Sequence, residues 1–275
     1  MPYYHNRRGE ELWYEDEGGG CPVVLVHGWC MSSAVWKYQF DGLAPSMRLL
    51  APDLRGHGLS GGISGGLNFN NFAEDLADLF DALDLAKVLL VGWSMGAQIA
   101  IQACAALSGR LAGMVLVSAT PSFTASIDFP YGLASNEASG MRLKVQRNTQ
   151  RALDGFYTRL FAEGELENLL TASEIKQLLS SITSPDTAAV LDALDALART
   201  DMRHLLATIS VPTLILNGGQ DRICLPQASS YLKEHIPYAQ QTVFPNSGHA
   251  PFLTQSGQFN AEIIRFARSI CEQKA

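Results

Sequence analysis

Apolar and polar positions alternate with two distinct periods along this chain. Residues 2–17 hold two short runs, Pro2 to Asn6 and Glu11 to Asp16, around the polar tetrapeptide Arg7-Arg8-Gly9-Glu10, a pattern that predicts a hairpin at a sheet edge. Uninterrupted apolar runs follow at Pro22–Val26, Val88–Val91 and Met114–Val117, with further strands expected at Arg48–Pro52, Val211–Leu216 and Gln241–Phe244. Short runs with no polar face suit strands covered on both sides, as in a parallel sheet. Between them the period lengthens to that of a helix. Segments near 35–43, 226–235 and 256–272 fit, and one over Phe72 to Leu85, capped by Asn70 or Asn71, carries Phe72, Leu76, Leu79, Phe80 and Leu83 on one face.

Strands alternating with helices imply an α/β fold with a mostly parallel, eight-stranded sheet and helices on both faces. The alternation stops at Ser118-Ala119-Thr120-Pro121. Residues 121–207 contain no buried-strand run and read instead as helices over 140–163, 172–183, 186–199 and 201–208. The expected organisation is therefore a core of residues 1–120 and 208–275 with a helical cap, residues 121–207, inserted between two strands.

Composition narrows the function classes. A chain of 275 residues with 47% hydrophobic and 17% charged content can bury a sizeable core. The net charge of −7 argues against nucleic acid or an anionic membrane as partner. Five cysteines without a C-x-x-C pair indicate neither a disulfide framework nor a zinc site, and nothing calls for a cofactor. With no leader-like N-terminus and no run of 18 apolar residues, a cytoplasmic protein is expected, and a monomer.

The chemistry concentrates at Gly92-Trp93-Ser94-Met95-Gly96, between a buried strand and a helix rich in small residues. This fits the G-x-S-x-G elbow, in which a strand-to-helix turn throws a serine out at its apex. Acyl transfer at Ser94 needs a base, a group to orient it, and donors for the oxyanion. His249 follows the last predicted strand and Asp221 the strand before it, which places both beyond the carboxyl ends of the sheet with Ser94. His5, His204 and His235 sit in edge or polar helical contexts. The other loop that could hold the acid offers only Ser118, Ala119 and Thr120, which leaves Asp221. The oxyanion donors expected are the backbone N–H groups of Met95 and Trp29, each typically worth ~3–4 kcal/mol in the transition state.

His27-Gly28-Trp29, Asp53-x-Arg55-Gly56-x-Gly58-x-Ser60, Gly92-x-Ser94-x-Gly96, Gly219-x-Asp221 and Gly248-His249 occur in that order, and together they resemble the α/β-hydrolase superfamily over essentially the whole chain. Ser118-Ala119-Thr120-Pro121-Ser122-Phe123 and His249-Ala250-Pro251-Phe252 look more particularly like the pimeloyl-[acyl-carrier-protein] methyl ester esterases. That resemblance implies a serine carboxylesterase acting on a methyl ester borne by acyl carrier protein. It also implies substrate contacts at Trp29, Ser94, Met95, Phe156, Tyr157, Thr158, Arg159 and Leu160. Where that group has an arginine directly before the phenylalanine, this chain has Gly155.

The cap segment adds a charge pattern of its own. Residues 141–159 carry five basic residues and one acidic, Asp154, in an acidic protein. At ~100° per residue, Lys144, Arg147, Arg151 and Arg159 share one side of a helix, opposite Leu153, Phe156, Tyr157 and Leu160. A solvated face is the plain reading of such a stripe. An acidic carrier protein outside and an aliphatic chain inside would also suit it. Two alternatives stand beside the carrier-ester hydrolase: a broad small-ester, lactone or C–C hydrolase without a carrier, and a ligand-binding receptor on the same fold.

Overall fold

In a computed structural model, residues 2–167 and 169–272 are described. The chain opens with the hairpin of β1 (Tyr3–His5) and β2 (Glu11–Gly18) and continues through β3 (Pro22–Val26), α1 (Lys37–Leu43), β4 (Arg48–Pro52) and α2 (Phe69–Ala82). Next come β5 (Val88–Trp93), α3 (Met95–Leu107) and β6 (Leu111–Val117). Four helices then intervene: α4 (Ser135–Arg147), α5 (Thr149–Arg159), α6 (Ala172–Ser181) and α7 (Thr187–Arg199). The sheet resumes with β7 (Thr213–Gly218), α8 (Pro226–His235) and β8 (Ala239–Phe244), and the chain ends in α9 (Pro251–Thr254) and α10 (Ser256–Glu272).

The eight strands form one sheet in the order β1-β2-β4-β3-β5-β6-β7-β8. Strands β4 to β8 run parallel with β3, while β2 is antiparallel to β4 and β1 to β2. Every residue of β5, β6 and β7 is buried, which explains their lack of polar alternation. From β3 the chain steps to β4 on one side and then returns to β5 on the other. That reversal is where open α/β sheets form a crevice beyond the carboxyl ends of their strands. Val26 of β3 stands opposite Gly92 of β5, so the loop leaving β3 lies beside the turn leaving β5. Among the described residues no helix is long and apolar enough to cross a membrane.

Two expectations are corrected. Helix α2 starts at Phe69, and its cap is Asn68, whose side-chain oxygen accepts the Asn71 N–H at 3.0 Å, rather than Asn70 or Asn71. The single helix expected over 140–163 is two helices. Asn148 leaves the helical region (φ −164°, ψ 99°) and its side chain accepts the Arg151 N–H at 2.9 Å. A short amide side chain competes for backbone donors, so it ends one helix while capping the next.

Candidate active site

The turn after β5 is tight enough to need both of its glycines. A Cβ on Gly92 would lie 2.3 Å from the Gly96 carbonyl oxygen, and one on Gly96 would lie 2.2 Å from that of Val26. Between them Ser94 holds φ 55° and ψ −115°, a strained conformation for a residue with a Cβ. The strain lifts its hydroxyl to the start of α3, partly exposed in otherwise buried surroundings.

His249 follows β8 and is held from three directions. Its N–H donates to Leu160 O at 2.7 Å, its carbonyl accepts from Trp93 Nε1 at 2.9 Å, and its Nδ1 lies 2.8 Å from Asp221 Oδ2. Asp221, after β7, accepts the Ile223 and Cys224 amides on Oδ1 at 2.8 and 3.0 Å. Both side chains are fully buried. The carboxylate fixes the proton on Nδ1 and turns the Nε2 lone pair outward. Among the described residues Nε2 has no hydrogen-bond partner, although it is buried. A buried basic nitrogen without a partner suits a group that exchanges a proton with a bound reactant.

The loop after β3 supplies the facing wall. A Cβ on Gly28 would meet the Trp93 ring at 3.1 Å and Ser94 Cβ at 3.3 Å, so glycine is what lets this loop approach the serine. The Trp29 and Met95 amides make no hydrogen bond among the described residues, which leaves two donors at this edge, one of them at the positive end of α3. The Asp53-x-Arg55-Gly56-x-Gly58 segment braces the loop from behind. Asp53 accepts the Ser33 and Leu59 amides, both at 2.7 Å, and a Cβ on Gly58 would strike its carboxylate. Arg55 is buried and grips Asp75 with two bonds of 2.6 and 2.7 Å.

His27 and His57 lie in the same layer but face away from this chemistry. The Leu54 amide donates to His27 Nε2 at 3.1 Å, so Nδ1 carries the proton and donates to Gly28 O. Burial lowers His27 to about 4 and, with His27 beside it, lowers His57 to about 3. Both are neutral packing groups near pH 7.

The helical insertion reaches this edge through α5. Phe156 packs edge-on against Trp29 with centroids 4.9 Å apart, the Tyr157 hydroxyl donates to Cys30 O, and Trp29 Nε1 donates to Val190 O. Burial pushes the Tyr157 hydroxyl well up, so it stays a donor. Leu160 is buried and gives its carbonyl to His249. Thr158 is the exception among the five consecutive residues. It is exposed and its hydroxyl bonds back to Asp154 O. Arg159 pairs with Glu137 at 3.1 Å and donates to Arg222 O at 3.2 Å.

An apolar crevice of about 30 Å³, bordered by Trp29, Phe156, Leu194 and Ile223, ends beside Arg159. Outside it, a groove of about 460 Å³ runs between α4 and α5, lined by Lys144, Arg147, Asn148, Arg151, Gly155 and Arg159. The break at Asn148 means these cations do not share one helix face. The two-helix hairpin gathers them around one groove instead. The hypothetical stripe and the observed groove contain the same four residues. Gly155 has open space where its side chain would be, so the groove is wider there than an arginine would leave it.

Three residues with contacts at this site carry no signal in the sequence. Cys224 donates its backbone N–H to Asp221, and burial, with Asp221 nearby, pushes its thiol well above its usual pKa. Glu165 bonds the loop of His249, and Val190 holds the Trp29 indole. These last two contacts span dozens of residues, beyond what local spacing reveals.

Comparison with known proteins gives a consistent picture. A family model described as alpha/beta hydrolase fold matches residues 22–256. The chain is 30% identical to the pimeloyl-[acyl-carrier protein] methyl ester esterase of Nitrosospira multiformis, over 94% of this chain and 98% of that one. It superposes on an esterase from Exiguobacterium antarcticum with a TM-score of 0.88 at 26% identity, covering 97% and 99% of the two chains. A thermophilic esterase from Thermogutta terrifontis gives 0.85 at 30% identity, covering 98% of each.

Proposed function

Since the chain belongs to the α/β-hydrolase family and is a carboxylic ester hydrolase, we propose that its substrate is the methyl ester of a pimeloyl chain carried on acyl carrier protein. In this reading residues 121–207 form a cap over the carboxyl edge of the sheet. The acyl chain enters along the crevice between Trp29 and Phe156, which widens to admit it, and the carrier docks on the groove between α4 and α5. The observation that carries it is that groove: four cations gathered on a protein of net charge −7, at the outer end of an apolar crevice leading to Trp29. An acidic partner is steered to such a patch.

The reaction follows from the geometry. Ser94 Oγ attacks the ester carbonyl while His249 Nε2 takes its proton, and the Trp29 and Met95 amides receive the charge on the former carbonyl oxygen. Asp221 holds the imidazolium and its tautomer. Collapse of the tetrahedral intermediate breaks the bond to methoxide, which leaves as methanol with the proton from His249. Water, deprotonated by the same nitrogen, then attacks the acyl-enzyme, releasing the carboxylate and restoring Ser94. No step calls on a metal or cofactor.

Methanol release from pimeloyl-carrier methyl ester, compared with free dimethyl pimelate, tests the substrate. The carrier-bound ester is expected to be preferred, and Arg147→Glu with Arg151→Glu is expected to lower kcat/KM for it at least tenfold while changing the free diester less than threefold. Equal activity on both esters, unaffected by the reversal, favours a second reading, a small-ester hydrolase without a carrier. At about 30 Å³ the crevice has room for little more than a water, so either kind of acyl group enters only as Phe156 and its neighbours move apart.

A further inference from the structure

The segment joining α5 to α6 passes directly behind the loop that carries His249. A Cβ on Gly248 would lie 2.6 Å from Leu160 O and 2.7 Å from Ala162 N, so a glycine is what allows the two segments to touch. The contact is sealed by one carboxylate. Glu165 Oε2 accepts the Gly248 N–H at 2.8 Å and the Ala162 N–H at 2.6 Å, while Oε1 accepts the Thr254 hydroxyl at 2.6 Å. One residue further, the His249 N–H donates to Leu160 O. Gly248 has little freedom on its other side, since a Cβ on Gly218 of β7 would sit 1.8 Å from its carbonyl oxygen. Glu165 thus joins a segment of the cap to the residue before His249 and to α9 just after it.

We infer that Glu165 is a positioning residue that couples seating of the cap to the aim of His249 Nε2. The inference rests on His249 being the catalytic base. Bonds from a carboxylate to backbone amides are among the stronger hydrogen bonds, and two of the three join the cap to the His249 loop and α9. If the 160–165 segment lifts, the loop loses the Leu160 carbonyl and the Glu165 carboxylate together, leaving Asp221 on the imidazole and Trp93 on the His249 carbonyl. A general base displaced by about 1 Å can lose on the order of 100-fold in rate, so the full catalytic arrangement exists only with the cap seated.

Glu165→Ala and Glu165→Gln separate positioning from bulk stability. The glutamine amide oxygen can still accept the Gly248 and Ala162 amides, and its NH2 can donate to Thr254, whose hydroxyl is able to rotate. With p-nitrophenyl acetate, and with sites counted by phosphonate titration, Glu165→Ala is expected to lower kcat 10- to 100-fold with KM within threefold. Glu165→Gln is expected to stay within fivefold of the parent. Amide exchange at Gly248 and His249 should accelerate at least tenfold in the alanine variant while β5 to β7 keep their protection. If the alanine variant does not fold, Thr254→Val removes one of the three bonds and is expected to lower kcat two- to fivefold. An unchanged kcat in the foldable variant, or a loss that vanishes once sites are counted, overturns the inference. His249→Ala is run alongside. An inactive His249→Ala with an unaffected Glu165→Ala overturns the positioning role alone, whereas an active His249→Ala overturns the triad and the positioning role together.

Discussion

Ser94 is an uncommon residue in a common setting. Its positive φ costs on the order of 1–3 kcal/mol, and that strain is held by β5 on one side and α3 on the other, with no room for a side chain at Gly92 or Gly96. The pattern around it was legible because tightness demands glycine at fixed offsets. Asp221 and His249 were legible by position, each being the first ionisable residue past one of the last two strands of the sheet. Glu165 was not, because nothing within a few residues of it marks a partner at position 248. The crevice beside Trp29 yields a prediction at this scale. Phe156 closes it from above, and Phe156→Ala should raise kcat/KM for octanoyl relative to acetyl p-nitrophenyl esters by at least fivefold. The same change removes a buried ring and should cost about 3–5 kcal/mol of stability. An unchanged chain-length profile would show that the acyl group lies elsewhere.

At the scale of elements, buried strands were the easiest to place. β3 begins and ends where its apolar run does, and β4 ends where its own does, since a strand covered on both faces stops where polar residues begin. Ends set by side-chain to backbone bonds were harder. Asn68 caps α2 two or three residues ahead of the expected Asn70 or Asn71, because Phe69, Asn70 and Asn71 extend the helix by most of a turn. Asn148 divides α4 from α5 within a polar stretch whose residues all tolerate a helix, so periodicity alone reads straight through it. That division shapes the candidate docking groove. Asn148→Ala removes the cap of α5 and should lower stability by about 1 kcal/mol. It should also reduce preference for the carrier-bound ester more than it slows a free ester. Equal effects on both substrates would separate the groove from carrier recognition.

For the whole molecule, the sheet and its crossovers bring to one edge groups that lie far apart in sequence, and two buried histidines tie that architecture to pH. Imidazoles in the unfolded chain titrate near 6.5, whereas burial holds His27 near 4 and His57 near 3. Above pH 7 both are neutral in either state and add no pH dependence. As pH falls from about 6.5 toward 4, the unfolded chain takes up protons that the folded one refuses, so stability falls with pH. Each group contributes a slope of at most about 1.4 kcal/mol per pH unit. The urea midpoint is therefore expected to drop between pH 7 and pH 5, and His57→Gln to flatten that drop. A midpoint that holds constant over this range, or rises toward acid, would contradict the assignment of these groups.

The most direct test of the account is to find where the acyl group goes. Reaction with a p-nitrophenyl alkylphosphonate, followed by peptide mass analysis, should place a single phosphonyl adduct on Ser94, with its rate falling at least a thousandfold in His249→Ala. Ser94→Ala should fold, take up no adduct and turn over no ester. An adduct on another residue, or ester hydrolysis at the parent rate by folded Ser94→Ala, would contradict the claim that acyl transfer takes place at this turn.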